Sequence, residues 1–228
     1  MIDFSGWSRY NIWEHSPTVL DLYTRRAYGE AEEMTCAAQA AELLQLMALP
    51  GETLLDVGCG TGYFLHSLQS RNIPLEYFGI DATARFIDIG RSALARFGLP
   101  PERLQAGRIE DLDGRADHVL CMNVLSNIDN FHRPLERLLK MARKTVILRE
   151  SVKDGAEYRY VEDRYLESPD VLNVHVNAYD RKELTAFIRS YGYSVSEIAD
   201  LRTGGAPEMV IDYPHYWTFF VATRIDGI

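Results

Sequence analysis

Cysteine is scarce in this chain of 228 residues: Cys36, Cys59 and Cys121 are the only three, and no two of them stand as C-x-x-C. An odd, scattered set excludes a disulfide framework or a zinc ribbon and fits reduced thiols in a cytoplasmic protein. No long apolar run occurs, and Met1-Ile2-Asp3-Phe4-Ser5-Gly6 has neither a basic start nor an apolar centre, so neither a membrane span nor a secretory leader is expected. Basic residues are in deficit: 24 Lys and Arg face 33 Asp and Glu, a net charge of −9, and they cluster no further than pairs such as Arg25-Arg26. Phosphate backbones are bound by clustered Lys and Arg, so the expected partner is a small molecule and not nucleic acid. The six histidines, at positions 15, 66, 118, 132, 175 and 215, show no H-E-x-x-H or comparable spacing, and no metal site is expected. There are no repeats or low-complexity tracts, and the length suits one domain, residues 1–228, with a sizeable core.

What the chain does have is Leu54-Leu55-Asp56-Val57-Gly58-Cys59-Gly60-Thr61-Gly62-Tyr63-Phe64. An apolar run ends in a carboxylate, glycines alternate, and apolar residues resume: a buried parallel strand meets a tight turn that opens a helix. Glycine accepts positive φ there and lets a ligand approach the backbone. Such a pocket favours a small polar ligand, and the carboxylate favours one carrying hydroxyls or an ammonium group. The dinucleotide fingerprint G-x-G-x-x-G needs a third glycine where this chain has Tyr63, which argues against NAD and FAD. No G-K-[ST] follows, so the Walker loop is excluded as well. Further strands are expected at Tyr77–Asp81, Arg103–Gly107, Asp117–Leu125, Thr145–Glu150, Tyr193–Ile198 and Tyr216–Ala222. Helices are expected at Ala84–Phe97, Phe131–Ala142 and Arg181–Tyr191. Strands alternating with helices predict an α/β fold with a parallel sheet, and right-handed crossovers set the intervening loops on its carboxyl edge.

The acidic residue before G-x-G-x-G, Asp81 closing the second strand, and Asp117, Val119, Val124 and Leu125 in the fourth together resemble the class I S-adenosylmethionine (SAM) dependent methyltransferases. The likeness runs in order from about Ala38 to Glu150 and is closest to the small-molecule branch. It implies a Rossmann-like, doubly wound, seven-stranded, mostly parallel sheet of order 3-2-1-4-5-7-6, strand 7 antiparallel, with helices on both faces. Residues 1–50 would then be a helical cover, 51–150 the SAM-binding core, 151–180 a lid insertion with room for a short helix, and 181–228 the C-terminal helix with strands six and seven.

The resemblance also implies SAM as cofactor, S-adenosylhomocysteine (SAH) as product, and methyl transfer to an O or N atom of the acceptor. Asp56 would steady the glycine turn and meet the methionyl ammonium. Gly58, Cys59, Gly60 and Gly62 would line the methionyl and ribose portion, with Cys59 a small space-filler. Asp81 would accept from the ribose diol, Ala82 would lie against adenine, and adenine would be read by the Ile109 amide and Glu110, or by Asp111 if the register slips. Asn123 would meet the methionyl end. In the N-terminal segment, Arg26, Tyr10 or Tyr23 would reach the methionyl carboxylate or the acceptor, although aromatics such as Trp7 and Trp13 equally suit plain packing. Two positions depart from the family: Arg108 stands where an acidic residue is common, and Asn127 where many relatives carry a His. Proton acceptors are therefore sought in His15, His175, His215 and Glu150. A base is not obligatory, because alignment alone supplies roughly 7–11 kcal/mol in intramolecular analogues.

Base-methylating relatives usually carry [DNS]-P-P-[YFW] after the fourth strand, and here the sequence is Asn123-Val124-Leu125-Ser126. Met122 and Asn123 replace the carboxylates that a magnesium-dependent catechol site would need. The lid, rich in Tyr158, Tyr160, Tyr165, His175 and Asn177, would shape the acceptor pocket. Homodimers are common in the family. Two rival functions stay open: a catalytically silent, methyltransferase-like binding or regulatory subunit, and a SAM-using enzyme that does not transfer methyl.

Overall fold

In the computed structural model, residues 11–167 and 171–225 are described. A 3-10 turn at Ile12–Glu14 leads into helix α1 (Pro17–Ala27), whose N-terminus is set by Pro17 and by the Ser16 hydroxyl accepting from the Val19 N–H. There follow α2 (Thr35–Gln45), β1 (Thr53–Val57), α3 (Phe64–Ser70), β2 (Glu76–Asp81), α4 (Ala84–Leu94), β3 (Leu104–Ala106) and β4 (Ala116–Met122). Next come α5 (His132–Met141), β5 (Ala142–Lys153), β6 (Tyr160–Glu162), β7 (Asn173–His175), β8 (Tyr179–Asp180), α6 (Arg181–Ser190), β9 (Tyr193–Ala199), β10 (Glu208–Val210), β11 (Tyr213–His215) and β12 (Trp217–Arg224).

The main sheet runs β3-β2-β1-β4-β5-β12-β9, with β8 added beside β5. The five strands from β3 to β5 are parallel, and β12 inserts antiparallel to both β5 and β9. This is the expected doubly wound order, with β9 and β12 as sixth and seventh strands. Each face buries one parity of side chains, as the two-residue strand period requires. In β4, Val119 and Cys121 join Leu135, Leu138 and Leu139 of α5, at the spacing of one helix face. Leu120 joins Leu44 of α2, Leu54, Phe64 of α3, Ile147 and Phe219 on the other face.

The structure differs from the expected elements after β5. That strand continues to Lys153, and the lid contains no helix among its described residues; β6 and β7 form an antiparallel hairpin in which Tyr160 pairs with His175 and Val161 with Val174. Aromatic and β-branched residues facing each other across two short strands favour this over a helix. The hairpin belongs to a third apolar cluster in which Ile12, Leu172, Val174 and Val176 pack with Val161, Leu166, Ile211 and Tyr213. Glu167 accepts from the Thr18 N–H at 3.0 Å and the Thr18 hydroxyl at 2.9 Å, and the Tyr165 hydroxyl donates to Asp212 at 2.6 Å. The N-terminal turn, the lid and the β10–β11 hairpin thus share one roof.

Helix α4 closes on the glycine turn through Gly90. A Cβ there would lie 2.3 Å from the Thr61 carbonyl oxygen and 2.9 Å from Leu104 Cδ1. Gly90→Ala is therefore expected to destabilise the fold by about 1–3 kcal/mol, despite alanine's better helix propensity. Urea unfolding would show this as a lower midpoint; an unchanged or higher midpoint would contradict the close approach.

Candidate active site

The turn after β1 holds Gly58, Gly60 and Gly62 at φ +76°, +58° and +77°. Left-handed backbone is one reason for glycine, and space is another. A Cβ on Gly58 would fall 2.2 Å from Val124 Cγ2, and one on Gly60 2.5 Å from the Tyr23 ring. The amides of Gly58 and Cys59 both donate to the Ile80 carbonyl, at 2.8 and 3.1 Å, which ties the turn to β2. Asp81 completes the tie: one carboxylate oxygen accepts from the Gly60 N–H and the other from the Thr83 N–H, each at 2.8 Å. Burial raises the Asp81 pKa and these two amides pull it back. The side chain is only partly covered, and each oxygen keeps a further lone pair, so a vicinal diol can donate to both.

Asp56 sits behind the turn, with the Tyr77 hydroxyl donating to it at 2.8 Å. Burial pushes its carboxyl up to about 7, with the Asp81 charge adding to the rise and the Tyr77 hydrogen bond opposing it. Cys59 is buried inside the turn, and burial drives its thiol well above the ordinary range, as suits a filler and not a nucleophile.

The N-terminal segment lies over this pocket. Tyr23 stacks on Phe86 with ring centroids 4.7 Å apart and meets Tyr63 edge-on at 5.7 Å. Its carbonyl accepts from the Thr61 hydroxyl at 3.1 Å. Arg26 lies 5.3 Å from the centroids of both Tyr23 and Tyr63, and its Nε is buried without a partner among the described residues. Asn11 reaches across to donate to the Thr83 hydroxyl at 3.0 Å. Trp7 and Tyr10 lie outside the described residues.

On the adenine side, the Gly107 amide donates to the Asp81 carbonyl at 2.9 Å, which brings the loop after β3 beside Asp81 and Ala82. That loop is a 3-10 turn, Ile109–Asp111, in which Ile109 and Glu110 are part-exposed and Arg108 lies 3.5 Å from the Glu110 carboxylate. At the end of β4, Asn123 takes φ +60°, and its amide donates to the Arg149 carbonyl at 2.8 Å. Asp81, Ala82, Ile109, Glu110, Asn123 and the glycine turn therefore share the carboxyl edge.

The catalytic candidates fare differently. Glu150 is fully buried, and it accepts from the amides of Val124, Leu125 and Ser126 at 3.1, 3.0 and 2.8 Å and from the Ser126 hydroxyl at 2.7 Å. Burial raises its pKa to about 6, and those donors hold back a larger rise. With its lone pairs filled by the loop after β4, Glu150 is the anchor of that loop, which corrects its reading as a proton acceptor. His175 belongs to the roof hairpin, its ring 4.5 Å from that of Tyr160, and burial lowers its pKa. His15 closes the first 3-10 turn through its backbone N–H to the Ile12 carbonyl. The strand that carries His175 packs on the Leu125–Asn127 turn after β4, and the nearby Asn177 amide donates to the Ser126 carbonyl at 2.9 Å. Arg149, which the sequence reading passed over, reaches the end of β4 itself: its Nη1 donates to the Asn123 side chain and its Nε to Asp200 at 2.7 Å. The available signal was an arginine directly after the apolar run Val146-Ile147-Leu148.

Residues 55–148 match a family model described as a methyltransferase domain. The ribosomal RNA small subunit methyltransferase C of Pseudomonas aeruginosa is 30% identical over 138 residues, which cover 58% of this chain and 38% of that protein. The protein of the same name from Salmonella newport is 28% identical over 175 residues, covering 74% and 46%. The chain thus spans less than half the length of these relatives. Among solved structures, magnesium protoporphyrin IX methyltransferase from Synechocystis PCC 6803 with bound SAH has a TM-score of 0.64 at 15% identity, covering 97% of this chain and all (100%) of that one. A SAM-dependent methyltransferase from Clostridium acetobutylicum has a TM-score of 0.62 at 12% identity, covering 91% and 98%. Those two likenesses concern the fold. The named relatives overturn the exclusion of nucleic acid drawn from net charge. Whole-chain charge averages over the surface and hides local groups such as Arg133, Arg137 and Lys140, which line one shallow cavity with Glu110 and Glu136. Among the described residues, no helix is long and apolar enough to cross a membrane.

Two outcomes follow from the buried carboxylates. Glu150→Gln must turn an amide NH₂ toward backbone donors, so it should cost about 1–3 kcal/mol in urea unfolding and speed amide exchange at Leu125 and Ser126. Unchanged exchange would remove Glu150 as the anchor. Asp56 binds its proton more tightly folded, at about 7, than its ordinary 3.8, so its ionisation opposes folding and its contribution falls as pH rises through that window. Asp56→Asn should therefore gain on the wild type in urea midpoint from pH 4.5 to 7.5; a constant difference would contradict the raised pKa.

Proposed function

We propose that this chain, whose residues 55–148 match a methyltransferase-domain family model, is a class I SAM-dependent methyltransferase that transfers the methyl group of SAM to an O or N atom of a small-molecule acceptor by in-line displacement. The observation that carries the reading is the glycine turn at the end of β1, bound through Asp81 to the turn that opens α4. The hydrogen bonds from the Gly60 and Thr83 amides hold the Asp81 carboxylate at the sheet edge with lone pairs left for a ribose diol. The Ile109 amide and Glu110 would read adenine, while the backbone of Gly58, Cys59 and Gly60 with Asn123 would line the methionyl portion, and Arg26 would serve its carboxylate. When bound, SAM supplies a methyl group made electrophilic by its sulfonium. The chain's own contribution is alignment of the acceptor beyond the end of β4 and exclusion of water by the roof.

The small-molecule acceptor is supported by that roof, in which the N-terminal turn, the lid and the β10–β11 hairpin pack together over the carboxyl edge. It is supported also by Asn123-Val124-Leu125-Ser126, which takes the place of the proline-containing sequence of base-methylating relatives. A second reading, methylation of RNA, is favoured by the names of the relatives and by the Arg133, Arg137 and Lys140 group on α5. Three buried free thiols support a cytoplasmic setting for either.

Calorimetry decides the cofactor: SAM and SAH should bind and NAD should not, whereas tight NAD binding without SAM would overturn the proposal. Asp81→Ala should weaken SAM by about tenfold or more, the loss of a charge-assisted hydrogen bond. Methyl-labelled SAM incubated with a metabolite extract and with total RNA then separates the acceptors. Label in the small-molecule fraction is expected, and label confined to RNA would establish the second reading.

A further inference from the structure

Two polar atoms beside Trp217, where β12 begins alongside β5, are buried with no partner among the described residues: Arg149 Nη2 and His215 Nε2. Arg149 is 3% exposed and His215 1%. An orphaned donor and an orphaned acceptor in one place call for a physical explanation, because each costs free energy that ordinary side chains avoid.

Both flank Trp217. The Arg149 guanidinium carbon lies 4.4 Å from the Trp217 ring centroid, and the His215 ring stacks on the same indole at 4.8 Å. Trp217 itself is fixed by its Nε1 donating to Glu208 at 2.8 Å. The guanidinium is held on two sides, by Asp200 at Nε and by Asn123 at Nη1. Nη2 is the other arm of the fork that touches Asn123, so it sits at the carboxyl end of β4. Strands β1, β4 and β5 are consecutive in the sheet, which sets the Arg149 backbone about 10 Å from that of the glycine turn. The guanidinium is not spent on Asp200: Nη2 stays open beside a cation whose position is already set.

His215 is prepared in a complementary sense. Its Nδ1 lies 3.2 Å from the Tyr213 carbonyl. A carbonyl oxygen only accepts, so Nδ1 carries the proton and Nε2 of the neutral ring presents a lone pair. Burial favours that neutral form, with the Tyr213 hydrogen bond opposing.

Resting on the cofactor reading above, we infer that Arg149 Nη2 and His215 Nε2 form the polar wall of the acceptor pocket, and that the acceptor is an oxygen acid, a molecule bearing a carboxylate or an acidic hydroxyl. Arg149 receives the anionic oxygen and His215 takes the proton of a hydroxyl that is still protonated. In the transfer to that hydroxyl, its O–H bond breaks with the proton passing to His215 Nε2. A C–O bond forms to the methyl carbon, and the C–S bond electron pair leaves with sulfur, so SAM is the sole co-reactant and a thioether the by-product.

The test uses the full chain saturated with SAH, 4-hydroxybenzoate as probe and benzamide as an uncharged control that also lacks the hydroxyl. Nuclear magnetic resonance follows the histidine ring nitrogens and the arginine side-chain N–H signals. His215 is assigned by its loss in His215→Phe, which keeps a ring on Trp217. 4-Hydroxybenzoate should shift both Arg149 and His215, with benzamide binding about tenfold more weakly or worse. Arg149→Lys, which keeps a cation for Asp200, and His215→Phe should each weaken the probe by about tenfold, with SAH affinity unchanged in His215→Phe. Absence of shifts at both residues, equal binding of benzamide, or undiminished binding in both variants would overturn the inference. If SAH does not bind the wild type, the cofactor reading fails, and the same titration without SAH still reads the Arg149–His215 wall.

Discussion

One carboxylate, that of Asp81, sets the geometry of the carboxyl edge by accepting from two backbone amides that belong to different turns. Gly60 lies in the turn after β1 and Thr83 in the turn before α4, and both donate at 2.8 Å. Charge-assisted bonds of this kind are short and strong, and here they hold two loops in fixed register. The glycine turn can accept that register only because its residues tolerate positive φ and have no Cβ to meet Val124 or Tyr23. Thr83 in turn receives Asn11, and the Gly107 amide donates to the Asp81 carbonyl. The N-terminal cover and the loop after β3 are thereby hung from the same residue.

The remaining buried charges follow one rule: each is matched by donors or acceptors drawn from distant parts of the chain. Glu150 gathers the three amides of the loop after β4, and Asp56 takes the Tyr77 hydroxyl. Asp200 is held below the ordinary carboxylate range, because the Arg149 hydrogen bond and charge with the Thr203 amide outweigh the upward effect of burial. These interactions shape loops at the edge of the sheet, where a pair of packed apolar faces exerts no control over backbone direction. The apolar layers decide that a sheet forms; the buried acids decide what its edge looks like.

The strand order was legible because a doubly wound sheet writes itself in short apolar runs, turn glycines and helices of regular spacing. The place of Asp81 at the end of β2 was legible for the same reason, since the run Tyr77-Phe78-Gly79-Ile80 stops at that carboxylate. What escaped was whatever depends on contacts between distant segments. Glu150 looked like a free acid facing the right edge, and only the folded loop reveals that Val124, Leu125 and Ser126 consume it. The Arg149–Asp200 pair joins residues 51 positions apart and leaves no local pattern. The lid folds as a hairpin because Tyr160 and His175 meet across it, a pairing that the intervening sequence does not announce. Net charge misled about nucleic acid, since it is a sum over a surface on which Arg133, Arg137 and Lys140 gather locally.

The central claim is that the Asp81-bound glycine turn is the cofactor site. Its most direct measurement is a titration of the ¹⁵N-labelled chain with SAH, followed through backbone amide resonances. The account predicts concerted shifts at Gly58, Gly60 and Gly62, at Asp81 and Ala82, and at Ile109, saturating together. Saturation of SAH binding with those amides unmoved, and shifts confined to other parts of the chain, would contradict it.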